Sequence, residues 1–95
     1  MNIIISIEVK EKLRNKHGVE VREVEQCFEN KCGLFVEDDR EAHRTDPATL
    51  WFIAPTNKGR ILKVIFIFSA SGGIYLKSAY EPEPEAVRIY DEVGR

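Results

Sequence analysis

Apolar positions along this chain recur with two spacings, and each spacing marks out a region. NIII at residues 2–5 is a short β-branched run, after which the period lengthens: in IEVKEKLRNKHG, Val9 and Leu13 fall four apart while charged residues fill the other positions. This reads as a strand entering a helix, with Ser6 as the N-cap whose oxygen accepts an orphan amide and Gly18 as the left-handed residue that ends the helix after His17. EVREVEQCFEN keeps helical spacing at Val21, Val24 and Phe28, with Cys27 beside them, and places Glu20, Glu23 and Glu25 where a helix N-terminus favours negative charge. A second amphipathic helix follows from this, with Cys27 in the core. After a short apolar LFV the run EDDREAHRTDP has no period and ends on proline, so residues 37–48 read as a loop.

Beyond the loop come TLWFIAPT, RILKVIFIF and GGIYLKSAY, three runs rich in β-branched and aromatic residues. NKG and SASGG separate them, and their glycines suit hairpin turns, so the three runs form an antiparallel meander. RILKVIFIF is apolar on both faces from Val64 to Phe68, which marks it as the central strand, covered on each side. Of Trp51 and Phe52, one belongs to the core and the other lies beneath a helix. EPEPEAVRIYDEV then forms a closing helix with Val87, Tyr90 and Val93 on one stripe and Gly94 at its end. The order describes one α+β domain over residues 1–95: an N-terminal strand and two helices, an antiparallel sheet with a three-strand meander, and a C-terminal helix.

Composition narrows the class. Ninety-five residues with 43% hydrophobic side chains make a single core. Two cysteines that are not in a CxxC exclude a disulfide scaffold and fit a reducing cytoplasm, and no segment approaches the roughly 20 apolar residues of a membrane span. Cys27 and Cys32 with the scattered His17 and His43 lack the paired spacing of a structural zinc site. Gly72 and Gly73 lack the following lysine and helix of a phosphate-binding loop. The net charge of −2 is unevenly spread: residues 1–39 carry 6 basic and 9 acidic groups, residues 81–95 carry 2 and 5, and residues 40–80 carry 6 and 2. The middle of the chain is therefore the expected place for an anionic partner.

Several short strings, taken in order, resemble the BrnT group of bacterial type II toxins, small members of the RelE-like ribonuclease superfamily. They are KHGV at 16–19, the VEQCFEN helix, EDDR at 37–40, GR at 59–60 and the apolar strand followed by a GG turn, and they span nearly the whole chain. The resemblance implies a cytoplasmic toxin that cleaves RNA without a metal or other cofactor. It also implies a cognate antitoxin protein as partner, and it leaves a homodimer within the toxin–antitoxin complex open. One position departs from the family pattern, which usually has an arginine two residues after the serine of the last strand; here that position is Tyr80.

Metal-free cleavage of RNA needs a base for the 2′-hydroxyl, cations for the phosphorane and an acid for the leaving oxygen. Arg60, Lys77, Tyr80 and His17 are the candidate catalytic residues. Arg60 opens the central strand and Lys77 lies near the end of the next, so antiparallel pairing is expected to bring them to one basic sheet edge. His17 has the titration range of a base, although a histidine in the last helical turn also simply favours the helix dipole. Arg40, Arg44, His43, Lys58 and Ser78 are candidates for holding RNA, and Glu41 between two arginines is a further candidate base. The competing expectation is a non-catalytic protein-binding module of the same fold, with these residues in ordinary surface ion pairs.

Overall fold

A computed structural model of the chain describes residues 2–38 and 47–95. The elements are β1 (Ile3–Ile4), α1 (Ile7–Lys12) continued by a π-helical segment (Leu13–His17), α2 (Val21–Asn30), β2 (Val36–Glu37), β3 (Thr49–Pro55), β4 (Ile61–Phe68), β5 (Ile74–Tyr80) and α3 (Pro84–Val93). Local chemistry sets the helix ends. The Ser6 hydroxyl accepts from the Val9 amide at 3.2 Å, and Gly18, at φ 61°, ends the first helix in the left-handed region that a side chain would resist. Glu20 and Glu23 close a reciprocal capping box at the start of α2.

The five strands form one sheet in the order β1-β5-β4-β3-β2. β3, β4 and β5 are the expected antiparallel meander, with β4 at the centre. The N-terminal strand adds to β5 in parallel, pairing Ile3 with Ile74 and Ile4 with Tyr75, so the sheet is mixed rather than wholly antiparallel. A helix-containing excursion lies between β1 and the meander, which is the kind of connection that permits a parallel pair.

The sheet has two unlike faces. On one, Leu62, Val64 and Phe66 of β4 are fully buried beside Phe52, Leu76 and Ala79. All five phenylalanines pack together on this side, mostly edge to face, with Phe28 of α2 at 4.8 Å from Phe52 and 5.3 Å from Phe66, and Phe35 at 4.9 Å from Phe66. Leu13, Val24 and Cys27 complete this core. The other face carries Trp51, Ile53, Lys63, Ile65, Ser78 and Tyr80, and α3 covers only part of it, laying Tyr90 against Trp51 at 5.7 Å. Lys63, Ile65 and Ile67 are accordingly half-buried, so the central strand is sealed on one side only. Phe52 is the core residue and Trp51 the one beneath the helix. Val93 falls off the α3 stripe at 55% exposure, and Ala86 and Ile89 pack in its place with Val87 and Tyr90.

Candidate functional site

The partly covered sheet face becomes a cleft because of two departures from regular geometry. The first is in β5. Phe66 pairs with Leu76 and Ile65 with Ser78, so the register slips past Lys77 and leaves it as an extra, bulged residue. Strict alternation would put Ala79 beside Tyr75 and Lys77. The bulge instead turns Ala79 into the core with Leu76, aims Ser78 and Tyr80 at the opposite face, and leaves Lys77 exposed at the rim.

The second departure is the π-helical turn at Leu13–His17. Such turns widen a helix locally and are frequent at functional sites. Leu13, 1% exposed, anchors this one in the core, and its carbonyl accepts from the Val19 amide at 2.8 Å, which folds the chain back after Gly18. The first helix and this turn stand beside the part of β5 that β1 does not reach. Lys12 and Lys16, four residues apart, therefore project to one side together with His17.

Between these elements lies a cavity of about 720 Å³. Lys12, Lys16 and His17 form one wall; Lys77, Ser78 and Tyr80 come from β5; Thr49 and Ile65 form the floor; Asp38, Glu81 and Glu83 border the far side. None of the three lysines takes part in an ion pair among the described residues. The Ser78 hydroxyl is buried, with the residue 7% exposed, and has no hydrogen-bond partner there. The His17 and Tyr80 rings lie 5.1 Å apart, tilted by 40°. Burial, and then the charges of Lys16 and Lys12, hold the His17 imidazole below its usual titration range, so it is neutral at neutral pH. The cleft thus combines three cations and a hydroxyl that could hold an anion with a neutral imidazole that could accept a proton.

Arg60 is placed differently from the sequence expectation. Its guanidinium donates to the carbonyls of Gly18 at 2.8 Å and His17 at 3.1 Å, and pairs with Glu23 at 3.3 Å and Glu81 at 3.6 Å. It stands at the same end of the sheet as Tyr80 but does not line the cleft, so Arg60 and Lys77 do not form one basic edge. Lys58 borders a separate cavity of about 280 Å³ with Glu20, Arg22 and Gln26, and Lys63 lies over the Trp51 ring at 4.6 Å. Arg40, Glu41, His43 and Arg44 lie outside the described residues.

Sequence reasoning missed Lys12 and Lys16, which belong to a stretch that is acidic overall. Their four-residue spacing next to His17 was the available signal. Cys27 is buried, its thiol bonded to the Ala54 carbonyl at 3.4 Å and its pKa pushed up to about 11 mainly by burial, while Cys32 is exposed. No group of three or more His, Cys, Asp or Glu side chains among the described residues is arranged to hold a metal ion. No family model, curated protein or solved structure matches the chain.

Proposed function

We propose that the protein is a BrnT-like endoribonuclease toxin of the RelE-like kind, which cleaves RNA without a metal and is held in check by a cognate antitoxin. The observation that carries this reading is the single cleft in which neutral His17, unpaired Lys12, Lys16 and Lys77, and the unpartnered Ser78 hydroxyl come together. A scissile phosphate sits among the lysines, with Ser78 donating a hydrogen bond to it. His17 takes the proton of the 2′-hydroxyl. As the new 2′-oxygen–phosphorus bond forms, the bond to the 5′-oxygen breaks, and the Tyr80 phenol, beside the His17 ring, protonates the leaving oxygen. The products are a 2′,3′-cyclic phosphate and a 5′-hydroxyl, with the base and acid restored by exchange with water. Tyr80 fills the position where the resemblance leads one to expect arginine, and the cations of the first helix supply the charge that arginine would bring.

A second reading has an observation of its own. Ile4 and Tyr75 are paired neighbours on the cleft side of the sheet and are 39% and 44% exposed, which suits a protein that docks there without catalysis. Purified protein incubated with single-stranded RNA in EDTA separates the two. Cleavage that is lost in His17→Gln and Lys77→Ala supports the toxin; intact RNA at high protein excess leaves the binding module. Expression without a partner arrests growth in the first case only.

A further inference from the structure

Arg60 bonds the backbone of His17 without lining the cleft. One arm of its guanidinium holds the Gly18 carbonyl and both carboxylate oxygens of Glu23, and the other holds the His17 carbonyl and approaches Glu81. The His17 carbonyl is therefore held by the same planar group that Glu81, the residue after Tyr80, approaches at 3.6 Å. His17 and Tyr80, the neighbour of Glu81, carry the rings that meet across the cleft wall at 5.1 Å. The last carbonyls of a helix have no partner within it, and Arg60 supplies one just where the π-helical turn ends. With its side chain 28% exposed and that of Glu23 21% exposed, Arg60 could turn to a phosphate only by abandoning two carbonyls and a half-buried carboxylate.

We infer that Arg60 is a positioning residue that fixes His17 against Tyr80, rather than a ligand of the substrate phosphate. The inference rests on the reading that His17 and Tyr80 serve the cleft. A fork of five donors in one plane is what the arrangement requires: it satisfies two successive carbonyls and the Glu23 carboxylate at once, whereas a lysine ammonium is a single point that cannot span them.

The test follows the His17 imidazole by NMR without RNA, through its titration and its ring contacts with Tyr80, in the wild type, Arg60→Lys, Arg60→Ala and, as a control that loosens the fold elsewhere, Tyr90→Phe. Arg60→Lys keeps the charge, so a changed His17 titration there is not a Coulombic effect. It is expected to weaken the His17–Tyr80 ring contacts and to move the His17 midpoint up towards the ordinary value of about 6.5, while Tyr90→Phe changes neither. In cleavage assays Arg60→Lys should lower kcat about tenfold or more with KM shifting less than about twofold, as a misplaced group does. The inference is overturned if Arg60→Lys leaves the titration and ring contacts as in the wild type. It is also overturned if Arg60→Ala weakens RNA binding and lowers its salt slope by about one, the mark of a lost phosphate contact. Should Arg60→Ala not fold, Arg60→Lys decides alone. A wild type that cleaves no RNA, together with a shifted titration in Arg60→Lys, upholds the positioning and sinks the ribonuclease reading; cleavage with an unchanged titration does the reverse.

Discussion

Replacing Ser78 with alanine deletes a buried hydroxyl that has no hydrogen-bond partner among the described residues, at a position 7% exposed on the cleft wall. Leaving such a group dry and unpaired costs about 1–3 kcal/mol, and the substitution removes one atom without disturbing the backbone pairing of Ser78 with Ile65. Ser78→Ala should therefore stabilise the ligand-free protein by about 1 kcal/mol, which for a chain of this length raises Tm by about 4–8 °C. Binding should move the other way. A hydroxyl that donates to a phosphate makes a charge-assisted bond of about 1.5–3 kcal/mol, so RNA affinity should fall about ten- to hundredfold. Paired measurements on one preparation settle it: thermal unfolding without ligand, and fluorescence titration with a non-cleavable 2′-deoxy oligonucleotide at fixed salt. A variant that is less stable than the wild type and binds RNA equally well would refute the reasoning, because the hydroxyl would then be serving the fold and not a ligand.

Two further outcomes follow from the same structure. Tyr90 is fully buried, and its hydroxyl donates to the Leu34 carbonyl at 2.9 Å, so Tyr90→Phe should cost about 1 kcal/mol and lower Tm by about 4–8 °C, with cleavage per folded molecule unchanged. His17 has a lower pKa folded than unfolded, so between the two values the unfolded chain binds more protons; its contribution makes stability fall as pH drops through about 6.5 and levels off below the folded value. Urea unfolding at pH 5.5 and 7.5 should show a pH-dependent component that His17→Gln removes.

The elements were legible in the sequence because each satisfies a local rule: Ser6 and Gly18 bound the first helix, Glu20 and Glu23 mark the start of the second, and glycine turns separate three β-branched runs. The site was legible only in part. His17, Lys77, Ser78 and Tyr80 were named and do meet, but the bulge that separates Lys77 from the pleat is a register slip fixed by packing Leu76 and Ala79 on the same side, and alternation alone predicts the opposite. Charge counted along the chain pointed to residues 40–80. Of the three lysines of the cleft only Lys77 lies there; Lys12 and Lys16 come from the first helix, because a solvent-facing side chain is aimed by where its helix docks, and docking depends on buried residues such as Leu13 and Val19. Arg60 is a candidate on its sequence, yet its partners are 21 to 43 residues away and leave no local trace.

One flank of the sheet has a consequence for how copies of the molecule meet. Where β2 stops pairing, the outer margin of β3 is taken up by side chains, the Tyr90 hydroxyl at the Ile53 amide and the Asn30 amide at the Pro55 carbonyl. Pro55 itself has no amide to offer a neighbour. A strand from another chain arriving on that side meets these side chains first, so lengthening the sheet there would require α2 and α3 to let go. At high concentration the protein is thereby guarded against zipping into ribbons along this border, and the guard consists of two polar side chains rather than an extra element of structure.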